Sequence, residues 1–178
     1  MPLDYVLMLA DVASAEEMCA ALRQCPEGNV VEVGVYQGGS AMRLYEVCEQ
    51  QNRKLYLYDT FTGIPFKSGF DSHNVGDFAD TDARKVSALM PKALVMQGVF
   101  PFTVVKMDPI AFAHIDADQY NSIKMALYVL GPMMAKGGLM WFDDVGCLEG
   151  ATKAFNDYRN EWKKTAFQAK CGKYYMEF

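Results

Sequence analysis

Apolar residues along this chain of 178 residues follow two alternating patterns. Short continuous runs, closed off by glycines or acids, predict buried strands at 29–34, 54–59, 93–97, 110–116 and 139–142. Between them lie longer stretches whose apolar positions return every three to four residues, predicting helices at 14–25, 39–51, 82–90, 120–134 and 150–163. Ser14, with Glu17 three residues on, has the pattern of a capping box. Two further short strands are expected at 165–169 and 173–178, with Gly172 at the turn between them. Strands alternating with helices build a right-handed α/β fold on a parallel sheet, to which the closing pair can add an antiparallel edge strand. The stretch 60–81 fits neither period. It carries Phe61, Pro65, Phe66, Phe70 and Phe78 among glycines and polar residues, and so many aromatics in one loop predict a mobile lid over a crevice.

Two of the apolar runs end abruptly in paired carboxylates: Phe112-Ala-His-Ile-Asp116-Ala-Asp118 and Trp141-Phe-Asp143-Asp144. In a parallel sheet, ligands sit beyond the carboxyl ends of the strands, so neighbouring strands of this kind would gather four acids in one crevice. Like charges that close demand a shared proton or a cation. An all-oxygen donor set suits a hard divalent ion such as Mg²⁺, Mn²⁺ or Ca²⁺. The bland reading is strand-end capping of the following helices, and it is harder to sustain for two pairs than for one. His114 lies two residues before Asp116, on the same side under strand alternation, and is a rival base as well as a candidate core histidine.

The first strand runs into Glu32-Val-Gly34-Val-Tyr36-Gln-Gly38-Gly39-Ser40, a turn that opens a helix. Glycines there let a ligand approach backbone N–H groups at a helix N-terminus. The spacing departs from the dinucleotide pattern G-x-G-x-x-G, which counts against a nicotinamide cofactor. Glu32 could take a ligand amino group and Ser40 a ligand carboxylate, a combination that fits an amino-acid moiety. Asp59 closes the second strand, where an acid takes ribose hydroxyls in nucleoside-binding sheets or else merely caps a turn.

Composition narrows the partners. The chain is 51% hydrophobic and 22% charged with a net charge of −5, and no Lys/Arg cluster offers a phosphate-binding face, so no nucleic-acid partner is expected. The length suits one domain over 1–178. Five scattered cysteines form no Cys-x-x-Cys pair, which points to a reducing compartment and hence the cytoplasm. The short apolar stretch between Asp4 and Asp11 lacks a basic region before it and is not expected to be a signal peptide; no segment is long enough to span a membrane.

Together these residues resemble a class I S-adenosylmethionine-dependent methyltransferase, and more narrowly the macrocin O-methyltransferase (TylF-like) family of metal-dependent sugar and natural-product O-methyltransferases. The resemblance is carried by residues 32–40, Asp59-Thr60-Phe-Thr-Gly-Ile-Pro65, Gly76-Asp77-Phe78, His114-Ile-Asp-Ala-Asp-Gln-Tyr-Asn-Ser122, and Gly137-Gly138 followed by Asp143-Asp144. It implies a Rossmann-like fold with helices on both faces of a mainly parallel sheet. It implies Asp116, Asp143 and Asp144 as ligands of a divalent cation, Mg²⁺ foremost, with Asp118 as the general base. Glu32, Gly34, Tyr36, Gly38, Gly39 and Ser40 would line the methionine end of S-adenosyl-L-methionine, and Asp59 with Thr60 its ribose. The other substrate would be a small molecule bearing a hydroxyl, on a sugar or small metabolite. Some thirty residues precede the first strand, fewer than the family's usual N-terminal region. The acceptor site is therefore expected to be open, altered, or completed by a second subunit of a homo-oligomer. Two rival functions stay on the table. A nicotinamide-dependent oxidoreductase would leave Asp143 and Asp144 without a task, and a non-catalytic cofactor-binding protein would not need the acids at all.

Overall fold

The computed structural model describes residues 12–178, so the expected absence of a signal peptide concerns residues outside the described part. The elements follow in the order α1 (Val12–Gln24), β1 (Asn29–Val33), α2 (Gly39–Gln51), β2 (Leu55–Asp59), α3 (Ala83–Leu89), β3 (Leu94–Gln97), β4 (Ile110–Ile115), α4 (Tyr120–Leu130), β5 (Met134–Phe142), α5 (Glu149–Glu161), β6 (Ala166–Gln168) and β7 (Tyr174–Glu177). One sheet of seven strands runs β3-β2-β1-β4-β5-β7-β6. The first five strands pair in parallel, while β7 runs antiparallel to both β5 and β6. Strand order reverses direction between β1 and β4, and that switch point opens a crevice at their carboxyl ends.

Helices cover both faces. Leu22, Leu44 and Val86 from α1, α2 and α3 pack with Val30, Leu57, Phe112 and Trp141 on one side. Ile123, Leu127, Ala154 and Phe155 from α4 and α5 pack with Val31, Tyr58, Ile115 and Phe142 on the other. β1 and β4 are buried along their whole length, as continuous apolar runs require of central parallel strands. Among the described residues no helix is long and apolar enough to cross a membrane.

Three local expectations are corrected. Ser14 does not cap α1: it is buried inside the helix, and the Glu17 carboxylate instead accepts the backbone N–H groups of Lys170 and Cys171. The helix expected over 120–134 stops at Leu130, because Gly131-Pro132 breaks it into a 3₁₀ turn. β5 accordingly starts at Met134, five residues early, and absorbs Gly137-Gly138 where its register against β4 shifts. Asp82, in contrast, caps α3 by accepting from Arg84 and Lys85 N–H groups.

The tightest constraint at the switch point is Gly34. Its φ of +88° is in the left-handed region, and a Cβ there would sit 1.6 Å from the Asp116 carbonyl oxygen. Asp116 N–H in turn donates to Val33 O at 2.9 Å, locking the end of β4 to the end of β1. Gly34→Ala is expected to cost about 2–5 kcal/mol, from the backbone strain and the overlap together. Urea denaturation checks this; an unchanged midpoint would contradict it.

Candidate active site

The crevice holds a cavity of about 370 Å³, with Gly34, Tyr36, Asp59 and Thr60 on one side and Asp116, Asp118, Asp143 and Asp144 on the other. Between them run Ile64, Pro65, Phe66 and Phe78 from the segment 60–81, and Val99 and Phe100 from the loop after β3. The β4–β5 register, Ile115 against Phe142, sets the two acid pairs side by side. One oxygen from each of Asp116, Asp143 and Asp144 falls within 4.8 Å of the others, a separation a single ion can bridge. Asp143 N–H donates to Ile115 O at 3.1 Å, and Asp118 N–H donates to Asp144 Oδ2 at 3.0 Å. Asp118 pays a backbone cost for its position, with φ of +54°.

The electrostatics follow from crowding. Burial first, then the charges of Asp144, Asp143, Asp118 and Glu32, raises the Asp116 carboxyl well above its ordinary value. Burial, with Asp143 and Asp59 nearby, pushes Asp118 up to about 6. Asp144 rises to about 7 by burial and by the charges of Asp118 and Asp143, against the Asp118 N–H and Lys173, which pull it down. Such a donor set, all carboxylate and short of positive charge, fits a hard divalent cation.

At the other end, Asp59 organises the turn. Its Oδ2 accepts Val35 N–H at 2.7 Å and Tyr36 N–H at 2.8 Å, and its Oδ1 accepts Phe61 N–H at 2.7 Å. The Thr60 hydroxyl also lies 3.5 Å from Oδ1, but its one proton goes to Gly63 O at 2.7 Å, so of about four acceptor positions one remains for a ligand hydroxyl. The turn and the loop are stitched together: Tyr36 Oη donates to Asp80, Thr81 Oγ1 donates to Tyr36 O, and the Tyr36 and Phe78 rings meet edge to face. The segment 60–81 has no helix or strand, yet it is pinned. Ile64 N–H donates to Asp77 O, and Asp71 Oδ1 accepts Tyr120 N–H at 2.7 Å at the start of α4.

Several expected site residues stand elsewhere. Glu32 is wholly buried in β1, where the register Glu32 against His114 brings its Oε1 within 2.7 Å of His114 Nδ1. Neither side chain lines the cavity, and His114 is buried against Glu32, the placement that the core reading expects. Period-2 alternation puts both on the face covered by α1 and α2, where a charge survives only with a partner. Gly38, Gly39 and Ser40 also lie off the cavity lining, one turn further along at the start of α2.

Two further residues stand at the site, of which only Lys173 carries no signal in the sequence. His73 Nε2 lies 3.8 Å from Asp118 Oδ1, its ring against Phe78. Lys173 Nζ donates to Asp143 Oδ2 and to Asp143 O, each at 2.8 Å. Burial works against the Lys173 charge, but the hydrogen bond and charge of Asp143, with Asp116 and Asp144 behind it, hold its pKa above the usual lysine value.

The model of the macrocin-O-methyltransferase (TylF) family matches residues 13–170. A curated relative, the 8-demethyl-8-(2,3-dimethoxy-alpha-L-rhamnosyl)-tetracenomycin-C 4'-O-methyltransferase of Streptomyces olivaceus, is 26% identical over 156 residues. That match covers 76% of this chain, which spans 59% of the relative's length. The solved structure of the O-methyltransferase NovP is similar with a TM-score of 0.77 at 20% identity, covering 90% of this chain and 79% of NovP. That of an O-methyltransferase from Bacillus cereus in complex with SAH gives 0.65 at 14% identity, covering 99% of this chain and 90% of that one. Likeness at these identities establishes a common fold.

The raised carboxyls generate a pH dependence. An acid whose folded pKa exceeds its unfolded value binds more protons when folded, so its contribution to stability falls as pH rises from the unfolded to the folded value. For Asp144 that window runs from 3.8 to about 7. The melting temperature of chelator-treated protein should therefore drop between pH 5 and pH 8, and saturating Mg²⁺ should recover the loss. An equal drop with and without Mg²⁺ would contradict the cation reading of the cluster.

Proposed function

The chain belongs to the macrocin O-methyltransferase (TylF) family, and from that premise we propose that it transfers a methyl group from S-adenosylmethionine to a hydroxyl of a sugar or small metabolite, with a divalent cation, Mg²⁺ foremost, at the acid cluster. The observation that carries this reading is the meeting of Asp116, Asp118, Asp143 and Asp144 at one end of a cavity whose other end is the Gly34 turn and Asp59. The relative from Streptomyces olivaceus, by its name a 4'-O-methyltransferase of a rhamnosyl-bearing compound, favours a sugar hydroxyl as acceptor. The buried free cysteines Cys19, Cys25 and Cys48 fit a reducing, cytoplasmic setting.

In this reading Asp59 takes a ribose hydroxyl with its remaining acceptor position, and the absence of a side chain at Gly34 lets the donor lie against the ends of β1 and β4. S-adenosylmethionine supplies an electrophilic methyl on a sulfonium. Asp116, Asp143 and Asp144 would hold the cation, whose charge lowers the pKa of an alcohol placed beside it. Asp118, on the same rim, receives the hydroxyl proton on its carboxylate as the oxygen attacks the methyl carbon, and the S–CH₃ bond breaks with its electron pair to leave S-adenosylhomocysteine as a neutral thioether. Ile64, Phe66 and Phe78 exclude water from the path, and holding both reactants in line supplies much of the acceleration. A nicotinamide-dependent oxidoreductase gains nothing from this geometry, since it gives four crowded acids no role.

Three measurements test the proposal. Isothermal titration of S-adenosylhomocysteine should give a Kd near the micromolar range, about −8 kcal/mol; no heat from folded protein would contradict the donor assignment. Asp143→Ala should abolish methyl transfer while leaving S-adenosylhomocysteine binding within a few-fold, and equal loss of both would contradict a cation role. Asp118→Asn should lower kcat by about 10²–10⁴-fold with little change in KM; a KM effect alone would remove Asp118 as the base.

A further inference from the structure

We propose that Lys173 is a built-in counter-ion of the carboxylate cluster: its ammonium stabilises the cluster without a cation and weakens the cluster's hold on a divalent ion. This rests on the reading of Asp116, Asp143 and Asp144 as cation ligands. Lys173 sits just before β7, and the antiparallel register Phe142 against Tyr174 brings residue 173 opposite residue 143. Its position follows from strand pairing rather than from a swinging side chain.

The ammonium grips Asp143 twice, through Oδ2 and through the backbone carbonyl, each at 2.8 Å. Two of its three donors are thereby fixed on one residue. The Lys173 side chain is 22% exposed and does not line the cavity, so it approaches Asp143 from behind and leaves the cavity side of the cluster open. Its influence reaches Asp144 as well, since the Lys173 charge opposes the upward push on that carboxyl.

The consequence is a trade between two states. Without a cation, four carboxylates face each other, and the one ammonium fixed against them relieves part of their repulsion. With a dication in place, the same ammonium lies a few ångströms from like charge and repels it. Lys173 thus narrows the gap between the ion-free and ion-loaded site, which makes the ion exchangeable and adds to the stability of the ion-free protein. Retaining the stem while removing the charge, as in Lys173→Met, separates this electrostatic role from packing.

The experiment is calorimetric titration of Mg²⁺ into chelator-stripped wild type, Lys173→Met and Lys173→Arg at pH 8, with thermal melts of each with and without Mg²⁺. Lys173→Met should bind Mg²⁺ about tenfold more tightly than wild type. Its ion-free melting temperature should fall by about 3 °C or more, and the difference should vanish in saturating Mg²⁺. Lys173→Arg, which keeps the charge, should track wild type in both. Mg²⁺ affinity unchanged or weaker in Lys173→Met, or an unchanged ion-free melt, would overturn the proposal. If neither wild type nor Lys173→Met takes up Mg²⁺, the cation reading fails, and the ion-free melt alone decides on the counter-ion: a lower melt supports it and an equal one overturns it.

Discussion

Crowding of like charge at the ends of β4 and β5 is the constraint on which the rest of the crevice depends. Two parallel strands in register deliver Asp116, Asp118, Asp143 and Asp144 to one rim, where burial and neighbouring charge raise the pKa values of the Asp116, Asp118 and Asp144 carboxyls. A fold tolerates that only if something compensates, whether protons, a cation or a lysine. The surrounding architecture bears this out in detail: the Asp118 N–H turned onto Asp144, the left-handed backbone of Asp118, and Lys173 clamped on Asp143 all serve to hold the acids together.

The opposite rim is built on a different economy. Asp59 uses its carboxylate chiefly on backbone N–H groups of the turn after β1 and of its own turn, so one acid shapes two loops before any ligand arrives. Gly34 then brings the β1 end against the Asp116 carbonyl with no room for a side chain. The two rims are therefore mechanically joined. A change at the turn moves the acids, and the segment 60–81, pinned to Tyr36 on one side and to Tyr120 on the other, spans both.

Much of this was legible in the sequence because it depends on local pattern. Continuous apolar runs mark the buried central strands, and an acid that closes such a run lies at the carboxyl end of its strand, so Asp59, Asp116, Asp118, Asp143 and Asp144 could be assigned to the crevice. The contact between Glu32 and His114 was not legible for the complementary reason. Their pairing is a matter of register between β1 and β4, separated by 82 residues, and no spacing announces it. Ser14 looked like a cap because its neighbours matched a capping box, but it is buried within a helix that has already begun at Val12. Lys173 reaches Asp143 only because the closing hairpin folds back antiparallel on β5, and His73 reaches Asp118 only through an irregular loop. Long-range pairing of this kind leaves no periodic trace.

On the proposed function, the two strand ends form one cation site facing the methyl donor across the cavity. The most direct test is a crystal structure grown with Mn²⁺ and S-adenosylhomocysteine, read by anomalous scattering. A manganese peak bounded by Asp116, Asp143 and Asp144 is expected, with the ligand's ribose at Asp59 and its sulfur toward Asp118. Ligand bound in the cavity with no anomalous peak at those carboxylates, under saturating Mn²⁺, would contradict it.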